Sequence, residues 1–167
     1  MVSAVRIMVF LHGTAIMHAS AVGQPRAERV RQSRQRDTSV LDFATHVPAE
    51  NAVDKVQAWQ RHGADICYLS SHTGAADVAL DRAVLARHGF PDGPVFFRQP
   101  GESYADVACR ADADVVVEDD CESIGGNQHT TAFRLAQSPG RAVRCVIVPE
   151  FGGLTHLPDD PQELTQP

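Results

Sequence analysis

The chain has 167 residues, 43% of them apolar and 22% charged, with a net charge of −6. This length predicts one domain, at about 100–200 residues per domain, with enough chain to bury a core unaided. The acidic balance excludes an overall nucleic-acid footprint, and no run approaches the roughly 18 apolar residues of a membrane span.

The apolar run Val5–Leu11 reads as a first strand. Met1–Leu11 has one arginine and no small-residue cleavage site after it, so a signal peptide is not expected. Met17–Pro48 is an irregular insert holding a basic helical piece, Ala27–Arg36, and a short segment, Leu41–Thr45. Following a first strand, it is expected to overhang the carboxyl edge of the sheet. Five arginines fall between Arg26 and Arg36. They form either a solvated helix face or a patch for a protein or other anionic partner.

A helix is predicted over Asn51–His62, with Val53, Val56, Ala58 and Trp59 near one face and a stop at Gly63. A strand follows at Ile66–Ser70, then a helix over Ala75–His88 with Val78, Ala79, Val84 and Leu85 inward. Pro94–Arg98 is the third strand, Glu102–Ala111 a helix after a Pro-Gly turn, and Asp114–Glu118 the fourth strand. Thr130–Ala136 is a weaker helix, and Cys145–Pro149 the fifth strand. Such alternation implies an α/β domain with a mainly parallel sheet covered on both faces. The domain is expected to span residues 1–157, with 158–167 a flexible tail. Cys67, Cys109, Cys121 and Cys145 have no CxxC spacing, which argues against a finger-type zinc site. Reduced thiols and the absence of an export signal point to the cytoplasm.

Ligands of open α/β sheets sit at the carboxyl ends of the strands. Here those ends hold His12, Gly13 and Thr14; Ser70, Ser71 and His72; Arg98; and Glu118, Asp119 and Asp120. Backbone amides around Leu11–Gly13, the Ser71 hydroxyl and an arginine would make an anion site. Asp119 and Asp120 follow an apolar strand, where carboxylates are costly unless solvated or paired. They are candidate metal ligands or helix caps. His12 and His18 are loop histidines or ligands, and His72 is a helix-start residue or part of the site.

Two segments, Met8–Thr14 and Val115–Asp120, resemble the first and last signature motifs of the haloacid dehalogenase superfamily of phosphohydrolases. That family's first motif reads Asp-x-Asp-Gly-Thr. Here Phe10 stands at the nucleophile and His12 at the general acid/base, while Gly13 and Thr14 match. The resemblance assigns Ser70 or Ser71 to the second motif and Asp119 and Asp120 to the metal-binding acids. Its lysine has no match, so Arg98 or Arg110 would substitute. It implies a Rossmann-like three-layer sandwich without a large cap. With the predicted strands numbered in chain order, the sheet order would be 5-4-1-2-3.

A phenyl ring cannot attack phosphorus or bind a metal, so phosphoaspartate chemistry is not expected. The leading expectation is a phosphorylated or anionic ligand, or a partner, bound without hydrolysis. One alternative is an atypical phosphohydrolase. In it Asp119 and Asp120 hold magnesium or another divalent metal, His12 moves the proton, and Ser71 and Arg98 hold the phosphoryl group. The other is an interaction module using the arginine-rich insert.

Overall fold

The structure is a computed structural model that describes residues 3–137 and 142–167. Among the described residues, seven strands form: β1 (Arg6–Phe10), β2 (Ile16–Met17), β3 (Val47–Pro48), β4 (Asp65–Leu69), β5 (Val95–Phe96), β6 (Val115–Asp119) and β7 (Arg144–Val148). The helices are α1 (Arg26–Arg34), α2 (Thr38–Leu41), α3 (Ala52–Arg61), α4 (Ala75–Arg87), α5 (Tyr104–Arg110) and α6 (Thr131–Gln137). Five strands make one parallel sheet in the order β5-β4-β1-β6-β7, which is the expected order.

Alternation along the strands divides the core in two. Ile7, Val9, Ile66, Tyr68, Val115 and Val117 face one layer, where Val56 and Trp59 of α3 and Val78, Val84 and Leu85 of α4 cover them. Met8, Cys67, Leu69 and Val116 face the other layer, against Val107 and Ala108 of α5. A capping box starts α5: the Ser103 side chain accepts from Asp106 N, and Asp106 accepts from Ser103 N.

Residues 17–48 do not join the main sheet. β2 and β3 pair as a short antiparallel ribbon, and α1 and α2 loop out between them. A third apolar cluster (Met17, Ala21, Val30, Ala49 and Phe151) seats this insert.

Two expectations are corrected. The third predicted strand shrinks to the two residues of β5, at the sheet edge. Residues 158–167 are held rather than loose. Trp59 Nε1 donates to Pro158 O at 2.9 Å, Lys55 Nζ pairs with Asp159 at 2.5 Å, and Leu164 is buried in the main core.

The arginines between Arg26 and Arg36 do not present one continuous face. Arg29 is buried on Ala21 O, Phe151 O and Glu50. Arg26 pairs with Glu122, and Arg31 with Glu28 and Asp37. Among the described residues, no helix is long and apolar enough to cross a membrane.

Candidate functional site

A cavity of about 450 Å³ opens at the carboxyl ends of the strands. Phe10, His12 and Gly13 line it after β1, Ser71 and His72 after β4, and Glu118 and Asp119 from β6. Arg34, Arg36, Val40, Leu41, Phe43 and His46 of the insert roof it. Placing the insert directly after β1 puts it over this edge, as doubly wound topology requires.

Two polar clusters face this cavity. The first is acidic: ligand atoms of Asp119, Asp120 and Glu150 lie within 4.8 Å of one another. Asp119 Oδ2 accepts from Thr14 Oγ1 at 2.9 Å, and Oδ1 from Cys121 N at 2.8 Å. Glu150 accepts from Ser123 N and Ser123 Oγ, both at 2.7 Å. Burial pushes the Asp119 carboxyl up to about 6 against those hydrogen bonds. Burial, then the neighbouring Asp119 charge, pushes Glu150 up to about 7. Asp120 is half-buried, 3.7 Å from Arg26, and does not line the cavity. Buried Glu118 caps α6, accepting from Thr131 N at 2.7 Å and Ala132 N at 3.1 Å.

Among the described residues, neither Asp119 nor Glu150 has an ion-pair partner. Such a set of hard oxygen donors, whose one ion pair among the described residues is the 3.7 Å contact of Asp120 with Arg26, fits magnesium or another divalent cation, the metal that the resemblance implies. With Phe10 in place of a carboxylate, Glu150 would be the third anionic donor beside Asp119 and Asp120.

Both carboxyls bind protons more tightly folded than unfolded, so their protonation stabilises the fold. That contribution is complete below about pH 4 and is lost as the pH rises through 6 and 7. A bound divalent cation offsets the loss, because the ligands must shed protons to bind it. Thermal melts are expected to show manganese raising Tm at pH 8 and leaving it unchanged at pH 5. An equal effect at both would overturn the assignment.

The second cluster joins His12, His72 and Asp81. Asp81 of α4 is fully buried; its Oδ2 accepts from Ser70 Oγ at 2.5 Å and lies 3.0 Å from His72 Nδ1. Its Oδ1 lies 3.2 Å from His12 Nε2. Burial pushes this carboxyl up, but the His12 hydrogen bond and charge, then Ser70 and His72, hold it below its ordinary value. Phe43 meets His72 edge-on at 4.2 Å, and His46 stands 5.3 Å from His12.

The expected site residues therefore separate. Asp119, Gly13 and Thr14 meet at the acids, while His12 turns to Asp81, because the β1 loop sends consecutive residues to different walls. His12 and Asp119 do not fall in one ligand set. Ser71 reaches the cavity, whereas Ser70 lies beneath it, bound to Asp81. Arg98 stacks over Tyr104 at 4.3 Å and does not line the cavity. Arg110 binds Glu102 at 2.9 Å. The amides of Leu11 and Gly13 are already taken by Leu69 O and Ile16 O, so they offer no anion cradle. His18 is buried against Gln32 at 2.8 Å.

Asp81, Glu150 and His46 were not among the expected residues, and Arg34 and Arg36 were expected only as part of the arginine stretch. Asp81 had a signal: it is an acid in the inward stripe of its helix, three residues after Val78 and four before Leu85. Glu150 had one too, since it follows the fifth strand at the same edge.

The strand order, the three layers and the acid-lined carboxyl edge define a haloacid dehalogenase-like α/β fold. In particular, the chain is similar to the class C acid phosphatase from Bacillus anthracis, solved with tungstate bound. The TM-score is 0.54 and the identity 13%, over 91% of this chain and 70% of that one. No protein-family model matches the sequence, and no curated protein does.

Proposed function

We propose that the cleft binds a phosphorylated or otherwise anionic small molecule, together with a divalent cation, and forms no phosphoaspartate. The observation that carries this reading is Phe10. It ends β1 in the cavity wall, with its ring edge-on to Tyr104 at 4.7 Å, at the position that the resemblance gives to the nucleophile. Arg34 and Arg36 on the roof and the Ser71 hydroxyl offer donors to an anion. A divalent cation held by Asp119, Asp120 and Glu150 would neutralise ligand oxygens beside them. The bound tungstate of the similar phosphatase is an oxyanion, which supports an oxyanion ligand here.

Calorimetric titration with inorganic phosphate in magnesium buffer tests this. Saturable binding is expected, weakened about tenfold in Arg34→Ala or Arg36→Ala, the loss of one charge-assisted hydrogen bond. A phosphorylated intermediate trapped from a chromogenic phosphate ester would overturn it.

A second reading is metal-dependent hydrolysis with water as nucleophile, favoured by the convergence of Asp119, Asp120 and Glu150. There the acids hold the cation, and the His12–Asp81 pair across the cleft takes up the proton. Magnesium-dependent turnover that disappears in Asp119→Asn, with phosphate still bound, would select this reading over the first.

A further inference from the structure

We infer that His12, His72 and Asp81 form a second metal site, for a transition-metal ion of the zinc class, with one coordination position open to the cleft. Two imidazoles and one carboxylate are a donor set for zinc and related ions, not for magnesium. Three protein donors and a free position are the arrangement of reactive, as opposed to structural, zinc.

The distances suit such an ion. His12 Nε2 stands 3.2 Å from Asp81 Oδ1, His72 Nδ1 hydrogen-bonds Oδ2 at 3.0 Å, and one donor atom of each residue lies within 4.8 Å of the other two. Zinc bonds of about 2.0–2.2 Å in a tetrahedron put neighbouring donors about 3.3 Å apart. The donors come from three separate elements: the loop after β1, the loop after β4, and α4.

His12 Nε2 and Asp81 Oδ1 are buried 3.2 Å apart, and among the described residues no third polar group reaches either atom. The two pair with one another, and an ion of the zinc class would take the place of the proton between them.

The rest of the carboxylate is held in place. Oδ2 is fixed by Ser70 Oγ, and Ser70 Oγ in turn accepts from His72 N at 3.0 Å. Such outer contacts orient a ligand before the ion arrives. Phe43 and His46 wall the site on the insert side. His12, His72, Phe43 and His46 all line the cleft, so the open position faces whatever occupies it.

The full chain, stripped with a chelator and dialysed, is to be titrated with zinc and with cobalt. With magnesium in excess to hold the acids, one tightly bound equivalent of each is expected, and cobalt is expected to give the intense visible absorption of a tetrahedral ion. His12→Ala and His72→Ala are each expected to lower zinc affinity by about 100-fold or more, beyond the 10–100-fold typical of an outer contact. Asp119→Asn is expected to leave zinc affinity unchanged. X-ray absorption at the zinc edge of the unsubstituted chain, expected to show two imidazoles, keeps the test independent of how the variants fold. No zinc or cobalt binding would overturn the inference, leaving a His12–Asp81 ion pair. Binding that survives both histidine substitutions but fails in Asp119→Asn would overturn it in favour of the acids.

Discussion

Replacing Gly93 with alanine is expected to cost about 3 kcal/mol or more, at the upper end for an overpacked core position. A Cβ at Gly93 would sit 2.2 Å from Ile66 O and 3.1 Å from Ile66 C. Those atoms are backbone of β4, inside the parallel ladder with β1, so they cannot swing aside as a flexible side chain would. The turn cannot retreat either. Tyr68 N donates to Pro94 O at 2.9 Å, and Tyr68 Oη to Pro91 O at 2.6 Å, clamping both ends of the turn to the strand. The two-residue pairing of β5 depends on this seating. Denaturant unfolding measures the loss, and a midpoint equal to that of the unsubstituted chain would overturn the account.

Gly13→Ala is expected to damage stability and ligand binding together. Gly13 has φ +92°, and a Cβ there would lie 2.7 Å from Asp119 Oδ2 and 3.1 Å from Glu150 Cγ. The left-handed backbone costs about 1–2 kcal/mol for a side-chain-bearing residue. The clash adds about 1–3 kcal/mol. Asp119 has little room to yield, because Thr14 and Cys121 hold both its oxygens. The alanine would push Asp119 from Glu150, so manganese binding should fall more than tenfold while the fold persists at low temperature. Calorimetry read beside a thermal melt separates the two effects. Unchanged manganese affinity in a destabilised protein would show that the acids are not a cation site.

Much of the fold was legible because the sheet is buried on both faces. Continuous apolar runs such as Ile7–Val9 and Val115–Val117 suit strands covered on both faces, and all six residues are fully buried. Strand order came through the resemblance rather than through periodicity, which carries no neighbour information. The candidate site was legible only at strand ends. His12, Asp119 and Ser71 reach the cleft, but the sequence could not show that His12 and Gly13, adjacent in the chain, serve opposite walls. Asp81 stands out as an acid in the inward stripe of its helix, but nothing local names its partners Ser70, His12 and His72. The insert is expected over the carboxyl edge, but local pattern does not say which of its side chains, here Arg34, Arg36 and His46, reach the cleft. Arg98 had the right position for an anion, but Tyr104 offers its ring face instead.

The central place of β1 has a consequence in time. One of its edges pairs with β4, but the other waits for β6, whose pairing begins only at Val115. A chain growing at about 5–20 residues per second leaves that second edge open for roughly 2–10 s after β4 has emerged. The open edge belongs to Ile7, Met8 and Val9, all fully buried once the sheet is whole. An apolar strand with free backbone groups invites pairing with a neighbouring chain on the same messenger. The strand made first is thus completed late, and the yield of native protein should rise when synthesis is diluted or shielded by a chaperone during that interval.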